Sequence, residues 1–352
     1  MLIKKLLVGH WPVRLMKIGK VGTVCLILLN LFACSSDDDD LIGNWVTLYQ
    51  VEPNARYDAV SASYDNIGYF GTGYDDDDRY NDFWSYDPVK NSYTQLPDFI
   101  GTPRLGAVAF ACAGKIYIGT GNDNSTKYGL NDFYEYDIAA GSWTQIADFP
   151  GTARYGAVAF SINDVGYVGT GYDGNYKKDF YKYDPATTEW TKVTALEGSS
   201  RYEAVAFVID NIAYVCTGLN SSSYVNDFWK YDGVADDWIQ LRNIADTNDD
   251  ESYDDDYDIK RSEAVAFVAD GKGYVCTGGQ GSAGSDTWEY DPATDLWDEK
   301  TGFEGASRKG AVAFSLNNIG YVLLGRNGSY YDSDIWYFQP NAEQDDDDNG
   351  NY

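Results

Sequence analysis

The chain has 352 residues, with 55 Asp and Glu against 26 Lys and Arg, and its 31 Tyr supply enough apolar surface to exclude general disorder. Residues 1–33 hold five bases and no acid, so the remainder carries 21 bases against 55 acids, a net charge of −34 that excludes a nucleic-acid partner. The single histidine is His10, so beyond Cys34 there can be no Ser-His-Asp or Cys-His catalysis and no His-ligated copper, zinc or haem site.

The first predicted element is an export signal. Residues 21–32 form an apolar run interrupted by Gly22, Thr23 and Asn30, too short to span a bilayer and suited to a signal h-region. Met16-Lys17-Ile18-Gly19-Lys20 is a conventional n-region, so Met16 is read as the start of translation. The run ends in Leu31-Phe32-Ala33-Cys34, which resembles a bacterial lipobox. That resemblance implies removal of residues 1–33 and lipidation of Cys34. Ser35-Ser36 and the four aspartates after them cannot pack, so residues 34–42 are predicted to be a solvated tether. Cysteine followed by Ser and acids is similar to the surface-export signal of Bacteroidota lipoproteins. The expected location is the outer membrane, lipid-anchored and exposed at the cell surface. Cys112, Cys216 and Cys276 remain, an odd number without CxxC spacing, and no disulfide framework is implied.

From residue 43 the sequence repeats. Arg-x-x-Ala-Val-Ala-Phe begins at Arg104, Arg154, Arg201, Arg261 and Arg308, with a worn copy, Arg-x-x-Ala-Val-Ser-Ala, at Arg56. Thirteen residues after each arginine stands a tyrosine (Tyr69, Tyr117, Tyr167, Tyr214, Tyr274, Tyr321). A small residue and a glycine follow, then an aromatic segment ending in Tyr-Asp in most copies, then a fourth-strand aromatic such as Trp143 or Trp190. Each copy reads as four short strands joined by turns. The pattern resembles the kelch repeat, whose period is about 50 residues and whose unit is one propeller blade. Where kelch has a glycine pair this chain usually has Thr-Gly, as at Thr72-Gly73, and the retained glycine marks a backbone position that a β-carbon does not fit.

The sixth copy stops after its third strand. Trp45 precedes Arg56 by 11 residues, the spacing of Trp143 to Arg154, so the N-terminal strand is expected to complete blade six. The predicted fold is thus all-β, a six-bladed kelch-type β-propeller over residues 43–340, followed by an acidic disordered tail at 341–352.

In such a meander the fourth-to-first and second-to-third connections share one end, and these are the connections that differ between copies. That end also receives a 12-residue insertion containing the acidic stretch 249–258. Variation on a fixed scaffold points to binding there. The six repeat arginines belong to the same end. They suit acidic or flat polar ligands, yet their presence in every copy favours a structural role, pairing with loop carbonyls or acids. The residues just after them differ. Carboxylates, arginines and aromatics converge only on blades one, four and five, which nominates Arg56, Asp58, Arg201, Tyr202, Glu203, Arg261 and Glu263 as ligand-binding. Tyr80, Tyr128, Tyr176, Tyr224 and Tyr330 close the variable loops, either as stacking platforms for sugar rings or as packing for the loops. The aspartate runs lack EF-hand spacing and read as solvated charge, so neither a metal nor another cofactor is expected. Cys216 and Cys276 sit at matching points of adjacent blades, too far apart for a disulfide, and read as buried free thiols.

The kelch architecture is shared with the central domain of galactose oxidase, but that copper chemistry requires histidines this chain lacks. The expected function is non-catalytic: a monomeric surface module binding a glycan or a protein through its variable face, touching the membrane only through its lipid. Two alternatives stand beside it. One is a sugar epimerase or mutarotase, resembling the bacterial kelch propeller that mutarotates sialic acid, with Asp58, Glu203 and Glu263 near arginines as acid–base groups. The other is a scaffold subunit of an outer-membrane assembly.

Overall fold

A computed structural model describes residues 41–246, 257–345 and 349. The signal, Cys34, and residues 249–256 of the acidic insertion lie outside the described residues. Six four-stranded antiparallel sheets form the six blades. Blade three is representative, with strands Val158–Ile162, Val165–Gly169, Phe180–Asp184 and Glu189–Val193 paired in simple order. Blade six takes its fourth strand from the N-terminus: Ile42–Gln50 pairs antiparallel with Asp334–Glu343, placing Trp45 opposite Phe338. Trp45 is fully buried against Phe267, Phe303 and Phe338. Both ends of the sequence therefore build one sheet, as the 11-residue spacing predicts.

The first strand of blades two to six alternates, and the alternation divides its side chains between two environments. In blade two, Val108, Phe110 and Cys112 are buried between blades, while Ala107, Ala109 and Ala111 line the central channel. Phe110 stacks on Tyr117 of its own blade at 4.8 Å and lies over Gly166 of blade three. A β-carbon on Gly166 would come within 2.0 Å of that ring. Only a bare backbone allows the sheets to approach this closely.

The worn first copy has a matching adjustment. Ala62 stands where other copies have phenylalanine, and Ile116 occupies the blade-two position that is Gly166, Gly273 or Gly320 elsewhere. Ile116 is buried in the cluster against which Ala62 packs. The missing ring is replaced by a larger neighbour, consistent with an interior that tolerates exchange at constant volume.

The first-to-second turns hold two residues at positive φ, for example Asn163 and Asp164 at 50° and 59°. This is the hairpin geometry that favours Asn, Asp and Gly. The turns do more than the sequence suggested. Asn211 Oδ1 accepts the Asn163 N–H at 3.3 Å, and Asp164, Asn318 and Asn66 accept from Ala113, Asp270 and Asn317 of the preceding blades. Four of six blade junctions are thus clasped at this end. A chamber of about 510 Å³ opens here, lined by small residues of the first strands and phenylalanine rings.

Candidate functional site

At the opposite end two concentric sets of residues surround the channel. The outer set is the six repeat arginines, all buried. Each Nε donates to the carbonyl two residues earlier at 2.9–3.1 Å, and each Nη1 donates to the carbonyl sixteen residues later at 2.8–3.2 Å. Each guanidinium also pairs with an aspartate just before the third strand: Arg56 with Asp82, Arg104 with Asp132, Arg154 with Asp179, Arg201 with Asp227, Arg261 with Asp286 and Arg308 with Asp334. Burial alone would raise the Asp179 pKa, but the Arg154 guanidinium holds it below the usual carboxylate range.

The sixteenth residue is Thr72, Thr120, Thr170, Thr217, Thr277 or Leu324, each in the left-handed region, and a glycine follows. The N–H of that glycine donates to the carbonyl of the next blade's arginine, from Gly73 to Arg104 and onward until Gly325 meets Arg56, at 2.7–2.9 Å. Thus each arginine braces its own blade by its side chain and its neighbour by its backbone. This corrects the assignment of Arg56, Arg201 and Arg261 as ligand-binding residues: their guanidinium groups are enclosed and committed to protein acceptors. The sequence held a sign of it, because an aspartate stands before the third strand in all six copies.

The inner set is Asp58, Gly106, Gly156, Glu203, Glu263 and Gly310. All six have φ between 51° and 61°. Each N–H donates to the carbonyl of the preceding blade's residue, giving a closed cycle of hydrogen bonds at 2.8–3.3 Å. This cycle runs in the opposite sense to the glycine–arginine cycle. Its backbone groups satisfy one another, so recognition at this mouth falls to side chains. Glycine at three positions leaves room for acids at the others; a β-carbon on Gly310 would meet Asp58 Oδ1 at 2.6 Å.

Asp58, Glu203 and Glu263 line one cavity of about 290 Å³ together with Tyr57, Tyr155 and Arg326. Burial first, then the Glu263 carboxylate, push Asp58 up to about 7, with Arg326 pulling the other way. Burial, then Glu263 and Asp58, raise Glu203 to about 9 against Lys309 and Arg326. Glu263 has Lys309 Nζ at 3.6 Å. The Arg326 guanidinium lies over the Tyr57 ring, 3.6 Å from its centroid. The three acids proposed from sequence are therefore brought together. Lys309 and Arg326, the bases beside them, were not candidates because both belong to blade six, outside blades one, four and five.

The tyrosines divide. Tyr202 and Tyr176 belong to a cluster with Tyr155 and Tyr172, with ring centroids 5.1–6.2 Å apart. Tyr128 and Tyr330 are exposed, the latter at 79 %. Tyr80 is not a free platform: its ring covers the Arg56 guanidinium at 3.9 Å and its hydroxyl donates to Asp75. Tyr224 is half-buried in a small hairpin, paired with Leu219. The stem of the acidic insertion is a short pair, Ala245–Asp246 with Tyr257–Asp258. Cys112, Cys216 and Cys276 are buried free thiols, and burial raises their pKa values.

Comparison with known proteins agrees with this architecture. Residues 148–301 match the family model described as the KLHDC2/KLHL20/DRC7 Kelch-repeats domain. A search of curated proteins gives no match. Among solved structures, one titled "Structure of YjhT" is similar with a TM-score of 0.67 and 17 % identity, covering 82 % of this chain and 96 % of that one. The chain is a six-bladed β-propeller, and its residues 148–301 carry the kelch-repeat match.

Proposed function

We propose that the propeller is a non-catalytic recognition module that holds a glycan at the mouth formed by the inner ring. The observation that carries this reading is the meeting of carboxyl groups and tyrosine faces around one cavity where the repeats differ. Carboxyls bond sugar hydroxyls, and tyrosine rings offer apolar faces to pyranose C–H groups. We further propose anchoring through a lipid on Cys34 at the bacterial surface. The test is a glycan array with the wild-type chain, Tyr202→Ala and Glu203→Gln. Signals lost in both variants, with melting no lower than wild type, support the reading. Undiminished signals, or capture of a protein whose binding ignores both changes, overturn it.

A second reading, sugar epimerisation or mutarotation, draws on Asp58 and Glu203 standing on blades one and four around one cavity, with pKa values raised to about 7 and 9. Such groups suit proton transfer near neutrality. Anomeric exchange followed by NMR on free sugars, with Glu203→Gln as control, distinguishes it: acceleration lost in the variant supports an enzyme.

A further inference from the structure

We propose that the ring consists of two three-bladed arcs, blades two to four and blades five, six and one, which part at the junction of blades four and five. The junction of blades one and two, diametrically opposite, is the hinge. This goes beyond the identity of a ligand and concerns how the mouth changes width.

The hairpin-end clasps divide the ring first. Their acceptor is the second turn residue of the following blade, which is Asp164, Asn211, Asn318 or Asn66 at the four clasped junctions. At the other two it is Gly114 or Gly271, with no side chain to accept the N–H of Asp65 or Asp210. The fourth strands divide it again. Trp143, Trp190, Trp238 and Trp45 each donate Nε1 to a carbonyl in the connection leaving the preceding blade, at 2.9–3.3 Å. Trp297, their counterpart in blade five, is buried and its Nε1 has no partner. Blade one carries Tyr93 instead, but its junction with blade six keeps a clasp and a 2.8 Å bond at the mouth. In the inner cycle the longest bond, 3.3 Å against 2.8–3.0 Å elsewhere, runs from the Glu263 N–H to the Glu203 carbonyl. The junction of blades four and five is thus the one weakened at all three places.

What crosses it is the Gly218 N–H to the Arg261 carbonyl at 2.7 Å, the Arg242 N–H to Asp295 at 3.1 Å, and apolar packing such as Phe207 over Gly273. Apolar contact is non-directional and allows sliding that hydrogen bonds resist. A closed ring opens at one junction only by bending at another, and blades one and two lack both a clasp and the phenylalanine that Ala62 replaces. Side chains at the mouth respect the same division. Tyr128, Tyr155, Tyr172, Tyr176 and Tyr202 cluster wholly on blades two to four. The Lys309–Glu263 pair and the Arg326–Tyr57–Tyr331 stack lie wholly on blades five, six and one. Opening separates Glu203 from Glu263 and leaves each group intact.

Hydrogen exchange of the full chain at pH 7, read amide by amide by NMR, tests this. After correction for intrinsic rates, the Glu263 N–H should be the least protected of the six inner-cycle amides, by about tenfold, the scale of one lost hydrogen bond. Gly271→Asn supplies the missing acceptor. Its φ is 73°, nothing lies within 4 Å of the added β-carbon, and asparagine holds this turn position in blades one, four and six. It should raise Glu263 protection about three- to tenfold, although it lies at the other end of the propeller. Gly114→Asn, at the hinge, should raise it as well. Equal protection of the six amides, or a less protected amide at another junction, overturns the opening at blades four and five. Glu263 protection unmoved by both substitutions overturns the hinged arcs.

Discussion

Two sixfold rings lie at one end of this propeller and obey different rules. The outer ring repeats the same arginine and aspartate in every blade, enclosed and paired. The inner ring keeps only its backbone conformation and hydrogen-bond cycle, while its side chains change from glycine to Asp and Glu. Repetition thus marks what the blade requires, and departure from it marks what the blade leaves free. Arginine also suited a ligand, but its repetition favoured the scaffold and its burial assigns it there; the acids, which the fold does not need, face the cavity.

The largest test of this division removes the strand that closes both rings. Deleting residues 41–50 exposes the edge of Asp334–Glu343 and loses Trp45, whose burial alone is worth about 3–5 kcal/mol. A cooperative thermal transition at the wild-type temperature would break the closed-ring account. Next in size is Arg154→Ala in the outer ring. It strands Asp179 and the Thr170 carbonyl, and is expected to cost about 3–5 kcal/mol in urea denaturation. A loss near zero would return the arginines to the list of functional candidates.

The inner ring should respond with the opposite sign. Glu203 binds its proton more tightly in the folded chain than in the unfolded one, so stability falls as pH rises from the ordinary carboxyl range through about 9. Glu203→Gln should therefore stabilise the protein at pH 8 by about 1–3 kcal/mol, allowing for water at the cavity opening, and by little at pH 4.5. Equal denaturation midpoints for the two proteins at pH 8 would show that the acid is not under strain. The smallest effect belongs to the hairpin end. Asn211→Ala removes one exposed clasp to Asn163 and should cost less than about 1 kcal/mol with ligand affinity unchanged.

Much of the fold was legible because a repeat supplies its own comparison. The arginine phrase gave the number of blades, and the distance from Trp45 to Arg56 gave the closing strand. Other features depend on contacts between copies, which spacing does not reveal. Ala62 read as wear, and only the packing of Ile116 in the same cluster explains it. Asn163 and Asn211 read as turn chemistry, although the side chain of one holds the backbone of the other's blade. At the site, Asp58, Glu203 and Glu263 were legible as departures from glycine. Arg326 was not: it lies in a loop of blade six, and only the fold lays it on Tyr57 of blade one.

The strand that completes blade six also orders events in time. Ile42–Gln50 is made before the blades that separate it from its partner, Asp334–Glu343. Pairing across so long a stretch of chain closes a large loop, which slows folding. Until then the first strand has no sheet and the sixth blade has an open edge, the state in which strands pair with other chains. Closure is therefore the last step available to a chain emerging from its N-terminus, and a truncation near the C-terminus would leave the earliest strand of the domain unpaired.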